Sequence, residues 1–115
     1  MQTTHVDALE LKVAMDCARS VNGVPIRLTE ERWLHISEEH CEMAGLRYDV
    51  LETIESPQSV HRGTAGELLA ARRFEADKHI VVVYKETGVD DGFVITAFLT
   101  RRLRQIERRE RVWPQ

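Results

Sequence analysis

Two histidines, His35 and His40, flank the end of the segment Trp33-Leu34-His35-Ile36. Imidazole titrates near neutrality, so such a pair can serve one reaction as general base and general acid. Each helical residue turns about 100°, so five-residue spacing sets the two rings roughly 140° apart on an ideal helix. They share a cleft only if the helix ends before His40. Otherwise one ring is exposed and the other caps the last carbonyls. Arg72 and Arg73 lie inside a β-prone stretch, where alternation sends them to opposite faces. A guanidinium there is a phosphate clamp or the partner of a carboxylate on a covering helix. Thr96 lies on one face of a later stretch with Val94 and Phe98, and Thr100-Arg101-Arg102 follows at its end as a further phosphate contact.

His35 and Glu39 have i, i+4 ligand spacing, and His61 or His79 could complete a metal set. There is no HExxH, no cysteine cluster and no DxD, so neither a metal nor any other cofactor is expected. The absence of a Walker loop, GxGxxG and GxSxG removes nucleotide-driven motors, Rossmann enzymes and serine hydrolases from consideration.

These residues need elements to hold them. The chain has 115 residues, enough for one domain over 1–115 that buries roughly two-thirds of its unfolded surface. Residues 9–18 alternate imperfectly and suit a half-buried strand, and Asn22-Gly23 turns the chain into a second at 24–28. Thr29 is a good N-cap for a helix reaching Cys41 or Glu42, with Glu30 and Glu31 at its positive end. Trp33, Ile36 and His40 would face the core, with His35 and Glu39 on a more exposed face. A second helix is read over 43–55, ended by Ser56-Pro57. A short strand at 58–62 precedes a meander at 67–75, 78–85 and 93–99. Residues 100–111 form a basic helix or tail, and Val112-Trp113 docks back.

The net charge of −3 divides unevenly: residues 1–60 hold 5 basic against 11 acidic side chains, and residues 61–115 hold 11 against 8. The C-terminal half can therefore present a basic surface on an acidic protein. No apolar run approaches the ~20 residues of a membrane helix, and no signal peptide is visible. Cys17 and Cys41 form no CxxC pair. Free thiols and a cytoplasmic location, with no membrane partner, are expected.

The segment Ile26-Arg27-Leu28-Thr29-Glu30-Glu31-Arg32-Trp33-Leu34-His35-Ile36, followed by His40, resembles the opening of phage and bacterial members of the barnase–EndoU–colicin–RelE-like nuclease fold. Residues 67–74 and Val94-Ile95-Thr96-Ala97-Phe98 are similar to the strands that end that domain. The likeness covers about 24–105, and the position after His40, often Pro in relatives, is Cys41. The resemblance implies an α+β fold with two helices packed on an antiparallel sheet of about four strands. It implies metal-independent RNA cleavage, in which the ribose 2′-hydroxyl attacks the neighbouring phosphate and leaves a 2′,3′-cyclic phosphate. Carried over, His35 and His40 are the acid–base pair, and Arg73 (less so Arg72) and Thr96 hold the phosphate. Arg72, Lys85, Thr100, Arg101 and Arg102 are the implied RNA contacts. RNA and an antitoxin protein are the implied partners. The acidic net charge motivates an alternative, a binding module that keeps the fold without the chemistry.

Overall fold

The computed structural model describes residues 15–115. The strand expected at 9–18 lies outside the described residues up to position 14. From Met15 the order is β1 (Met15–Arg19), β2 (Pro25–Thr29), α1 (Glu30–Glu39), a 3-10 turn (Cys41–Met43), α2 (Arg47–Glu55), β3 (Ser59–Arg62), β4 (Leu68–Glu75), β5 (Lys78–Glu86), β6 (Gly92–Thr100), α3 (Leu103–Glu107) and β7 (Arg111–Trp113). All seven strands join one sheet in the order β1-β2-β6-β5-β4-β3-β7. Every neighbouring pair is antiparallel except β2 and β6, which run parallel through Ile26↔Gly92 and Arg27↔Phe93.

This corrects the expected architecture of two helices on about four antiparallel strands. Among the described residues the sheet is mixed and seven-stranded, strand exceeds helix at 42% against 27%, and there are three short helices. The cause is pairing between distant segments. The β1–β2 hairpin attaches to β6 by two residue pairs, and β3 and β7 extend the opposite edge. Periodicity marks a segment as a strand but does not say whom it pairs with.

Local chemistry explains the elements. Gly23 takes φ +81° in the β1–β2 turn, which favours glycine. Ser20 Oγ donates to Glu86 (2.6 Å), fastening that turn to the end of β5. Thr29 Oγ1 accepts from the Arg32 amide (3.1 Å), and Glu30 and Glu31 occupy the first turn of α1. After the 3-10 turn, Gly45 at φ +81° separates it from α2, so the second helix begins at Arg47 rather than 43. Arg47 reaches Asp16 of β1 and Glu30 of α1, each at 2.6 Å, and ties both helices to the first strand. Among the described residues no helix is long and apolar enough to cross a membrane.

The sheet carries a core on each face. Trp33 and Ile36 of α1, Met43, and Val50 and Ile54 of α2 bury against Ile26, Leu28, Ile80, Val82, Tyr84 and Val94. On the opposite face α3 places Ile106 and Leu103 over Leu69, Ala71, Val81, Val83 and Phe98. Among the described residues that second cover is short, and the face is open only around half-buried residues such as Val83 and Phe98.

Tyr84 is fully buried and its hydroxyl has no hydrogen-bond partner among the described residues. Burial, reinforced by nearby Glu86, pushes that hydroxyl well above its ordinary value of 10.0. A raised folded value stabilises below the unfolded value, and that contribution is lost as pH rises above it. Tyr84→Phe removes an unsatisfied buried group, so we expect neutral to about 2 kcal/mol greater stability at pH 7. Denaturant titrations should also show the parent, but not the variant, losing stability from this source above pH 10.

Candidate active site at the seam between a helix and the sheet edge

β2 pairs with β6 only as far as Phe93, so among the described residues the remainder of β6 has no strand on that side. The space is taken by α1 and the 3-10 turn, which lie along β6. Arg32 Nη1 donates to the Ile95 carbonyl (3.3 Å), the atom a neighbouring strand would otherwise use. Ile95 is itself irregular. Val83 pairs with Thr96 while Tyr84 pairs with Val94, so Ile95 is the extra residue of a β-bulge. The bulge breaks the expected alternation. Val94 turns to the helix-covered core with Tyr84, whereas Thr96 and Phe98 lie on the open face opposite Val83 and Val81.

The helix ends one residue before His40. Glu39 is the last residue of α1, and His40, its C-cap, has φ −129° and ψ 78°. His40 is thereby released from the helical direction that would set it about 140° from His35. Its ring lies on Phe98, with centroids 6.0 Å apart and planes inclined at 36°. Its Nδ1 is 3.5 Å from Glu42. His35 is exposed, 3.3 Å from Glu39, and lines a cleft of about 280 Å³ with Thr29, Glu31 and Arg32.

Thr96 is two residues from Phe98 on the same face. Its Oγ1 is covered and has no partner among the described residues. A 120° turn of χ1 exchanges that hydroxyl with its methyl group.

Arg73 stands apart. The register sets Arg73 opposite His79 and His79 opposite Thr100. Two strand spacings and four residues of rise separate it from Thr96, about 16 Å between backbones. Its guanidinium donates to the Ala76 carbonyl (3.0 Å) in the β4–β5 hairpin. Arg72 points to the helix-covered face, 3.6 Å from Glu52, and donates to the Ser56 carbonyl. Thr100 Oγ1 accepts from the Arg102 amide (2.9 Å), and Arg101 pairs with Asp77 (3.1 Å). Lys85 is half-buried beside Gly66. Arg32, which is not among the phosphate contacts read from the sequence, is the cation at the seam.

A second, larger cleft of about 440 Å³ opens on the same face under α3. Ser59, His61, His79, Arg109 and Arg111 are among its lining residues. His61, only 3% exposed, contacts the Arg109 carbonyl through Nδ1 (3.2 Å) and Ser59 Oγ through Nε2 (3.1 Å). His35 and Glu39 are on α1, whereas His61 is on β3, three strands beyond β6. Among the described residues no three His, Cys, Asp or Glu side chains assemble as a metal-ligand group. Cys17 and Cys41 are free and exposed.

Comparison of the chain with protein-family models, with curated proteins and with solved structures gave no match.

Proposed function

We propose that the protein is a metal-independent endoribonuclease whose site is the α1–β6 seam and which, by its resemblance, is the toxin partner of an antitoxin protein. The observation that carries this reading is the exit of His40 from α1 onto Phe98, beside the orphaned Thr96 hydroxyl. In the reaction the ribose O2′ bonds to phosphorus as the P–O5′ bond breaks. One imidazole takes the 2′ proton and the other delivers a proton to the leaving 5′ oxygen. His40 and His35 are the groups for these roles. Arg32 supplies positive charge for the phosphate, in the place the resemblance gives to Arg73. Phe98 offers an aromatic face for a base.

A direct test incubates purified protein with a labelled RNA and the matching DNA in EDTA, beside His40→Ala. Cleavage of RNA alone, ending in a cyclic phosphate and abolished in the variant, is the expected result. The carboxylates of Glu39 and Glu42 beside the two histidines favour a second reading, a binding module without chemistry, because they repel phosphate. No cleavage by folded, antitoxin-free protein would establish that second reading instead.

Thr96→Val separates a structural hydroxyl from a working one. The shape is kept and an unpartnered buried oxygen is removed, so stability should be unchanged or rise by up to about 1 kcal/mol. If the hydroxyl binds the phosphate, cleavage should fall about 10- to 100-fold, the worth of one hydrogen bond to a charged group. Thermal melts and initial rates on one preparation decide it.

A further inference from the structure

We propose that the cleft beneath α3 is a phosphoryl-binding site, taking a backbone phosphate of the RNA strand that the seam cleaves. The inference rests on the nuclease reading for the identity of the strand, but its geometry is independent. The cleft's volume of about 440 Å³ falls within the roughly 300–1,000 Å³ of sites that take small ligands. Its positive charge is assembled by strand pairing. β7 lies against β3, with His61 opposite Arg111, and the Arg62 amide donates to the Glu110 carbonyl (2.9 Å). The Glu110 side chain is held in an ion pair with Arg62 (3.0 Å), while Arg109 and Arg111 both line the cleft. Neither arginine makes an ion pair among the described residues. Buried His61 holds the Arg109 carbonyl, which fixes where this segment crosses the sheet. Arg109 and Arg111 thus line the cleft beside one lining carboxylate, Glu107, and beside His79, while Arg109 also acts on the Glu67 carboxylate outside it. Guanidinium forks are shaped to hold a phosphate by paired hydrogen bonds.

The cleft and the seam lie at the two ends of one row of the sheet. Ser59, Ala71, Val81 and Phe98 form one row across β3, β4, β5 and β6 on the open face. That row ends at the aromatic ring that His40 covers. Three strand spacings, about 14 Å, separate its ends. Ala71 and Val81 in the middle of that row are buried beneath Leu103 and Ile106, so a strand bound at the seam reaches the paired arginines around α3 rather than across the row.

The test measures binding of a 2′-O-methyl RNA oligonucleotide, which lacks the attacking hydroxyl, to the full chain by fluorescence anisotropy across a salt series. Arg111 is exposed, so Arg111→Gln should preserve the fold, which a melt checks. The expected result is affinity reduced about tenfold and a shallower salt dependence, by about 0.7 in the log–log slope for each phosphate no longer neutralised. Cleavage of a dinucleotide, too short to reach the cleft, should be unchanged in Arg111→Gln. Unaltered affinity and slope would overturn the proposal, as would failure of the parent to bind the oligonucleotide. Competition by inorganic phosphate at fixed ionic strength, present in the parent and absent in the variant, would show that free phosphate suffices. Its absence beside an Arg111-dependent oligonucleotide would show that the site takes phosphate only within the strand. Arg111-dependent binding by a protein that cleaves nothing would uphold this site while removing the nuclease reading.

Discussion

His40→Ala should lower RNA cleavage by about 10²- to 10⁴-fold, the usual contribution of a positioned acid or base. The substitution is clean for structural reasons. The hydrogen bond that closes α1 runs from the His40 backbone amide to the Ile36 carbonyl (2.7 Å) and survives any side chain. The packing removed is the tilted stacking of one ring on Phe98, worth about 0.5–1.5 kcal/mol. A variant that melts within several degrees of the parent and fails to cut RNA therefore reports chemistry. A variant that cuts RNA at the parental rate would remove His40 from the reaction, whatever activity the protein proves to have. His35→Ala in the same assay, scored over pH, distinguishes base from acid, because each substitution removes a different limb of the rate profile.

Gly92→Ala should cost about 3 kcal/mol of stability, the upper end of the range for overpacking. Gly92 starts β6 at the point where β2 joins the sheet, opposite both Ile26 and Glu86. A methyl group there would sit 2.6 Å from Ile26 Cδ1 and 2.6 Å from the Lys85 carbonyl oxygen. The isoleucine can shift, but the carbonyl belongs to the β5 backbone and cannot. Either the β5–β6 ladder opens or β2 is levered away from β6. The second outcome also strains the fork between Arg27 and Asp91 (2.8 and 3.1 Å), which holds the Asp91 carboxyl below its usual range. A melt 10 °C or more below the parent is the expected reading for a chain of this size, at roughly 4 °C or more per kcal/mol. Gly88→Ala, four residues earlier, meets only Asp90 Oδ1 at 3.8 Å and should melt within about 0.5 kcal/mol of the parent. Equal melts for the two variants would contradict the β2–β6 packing.

Much of the local structure is legible in the residues. Thr29 announces α1 because a hydroxyl can satisfy an amide that the helix leaves free, and the Trp33–Ile36 spacing orients its buried side. The β-branched run Ile80–Val83 can only be a covered strand. Other features carry weaker marks. Periodicity starts α2 four residues early because Gly45, the residue that takes a left-handed conformation, sits inside an otherwise helical pattern. The bulge at Ile95 has no glycine or proline to flag it, so simple alternation merges the faces of Val94 and Thr96. The larger cleft is invisible in the sequence for a different reason. Ser59, His79 and Arg111 belong to strands or tails that adjoin only through the sheet order, and each alone reads as an ordinary polar residue. Its place in a motif draws Arg73 to the site, whereas the register sends it to the far rim.

The parallel seam also has a consequence for when the protein can act. Arg32 and the carbonyl it holds are 63 residues apart in the chain, and β6 is made well after α1. During synthesis α1 leaves the ribosome with neither the sheet edge beside it nor the aromatic floor beneath His40. A nascent or prematurely ended chain lacking β6 therefore contains both histidines but no seam. If the seam is the site, the cell that makes this protein meets its activity only after β6 has left the ribosome.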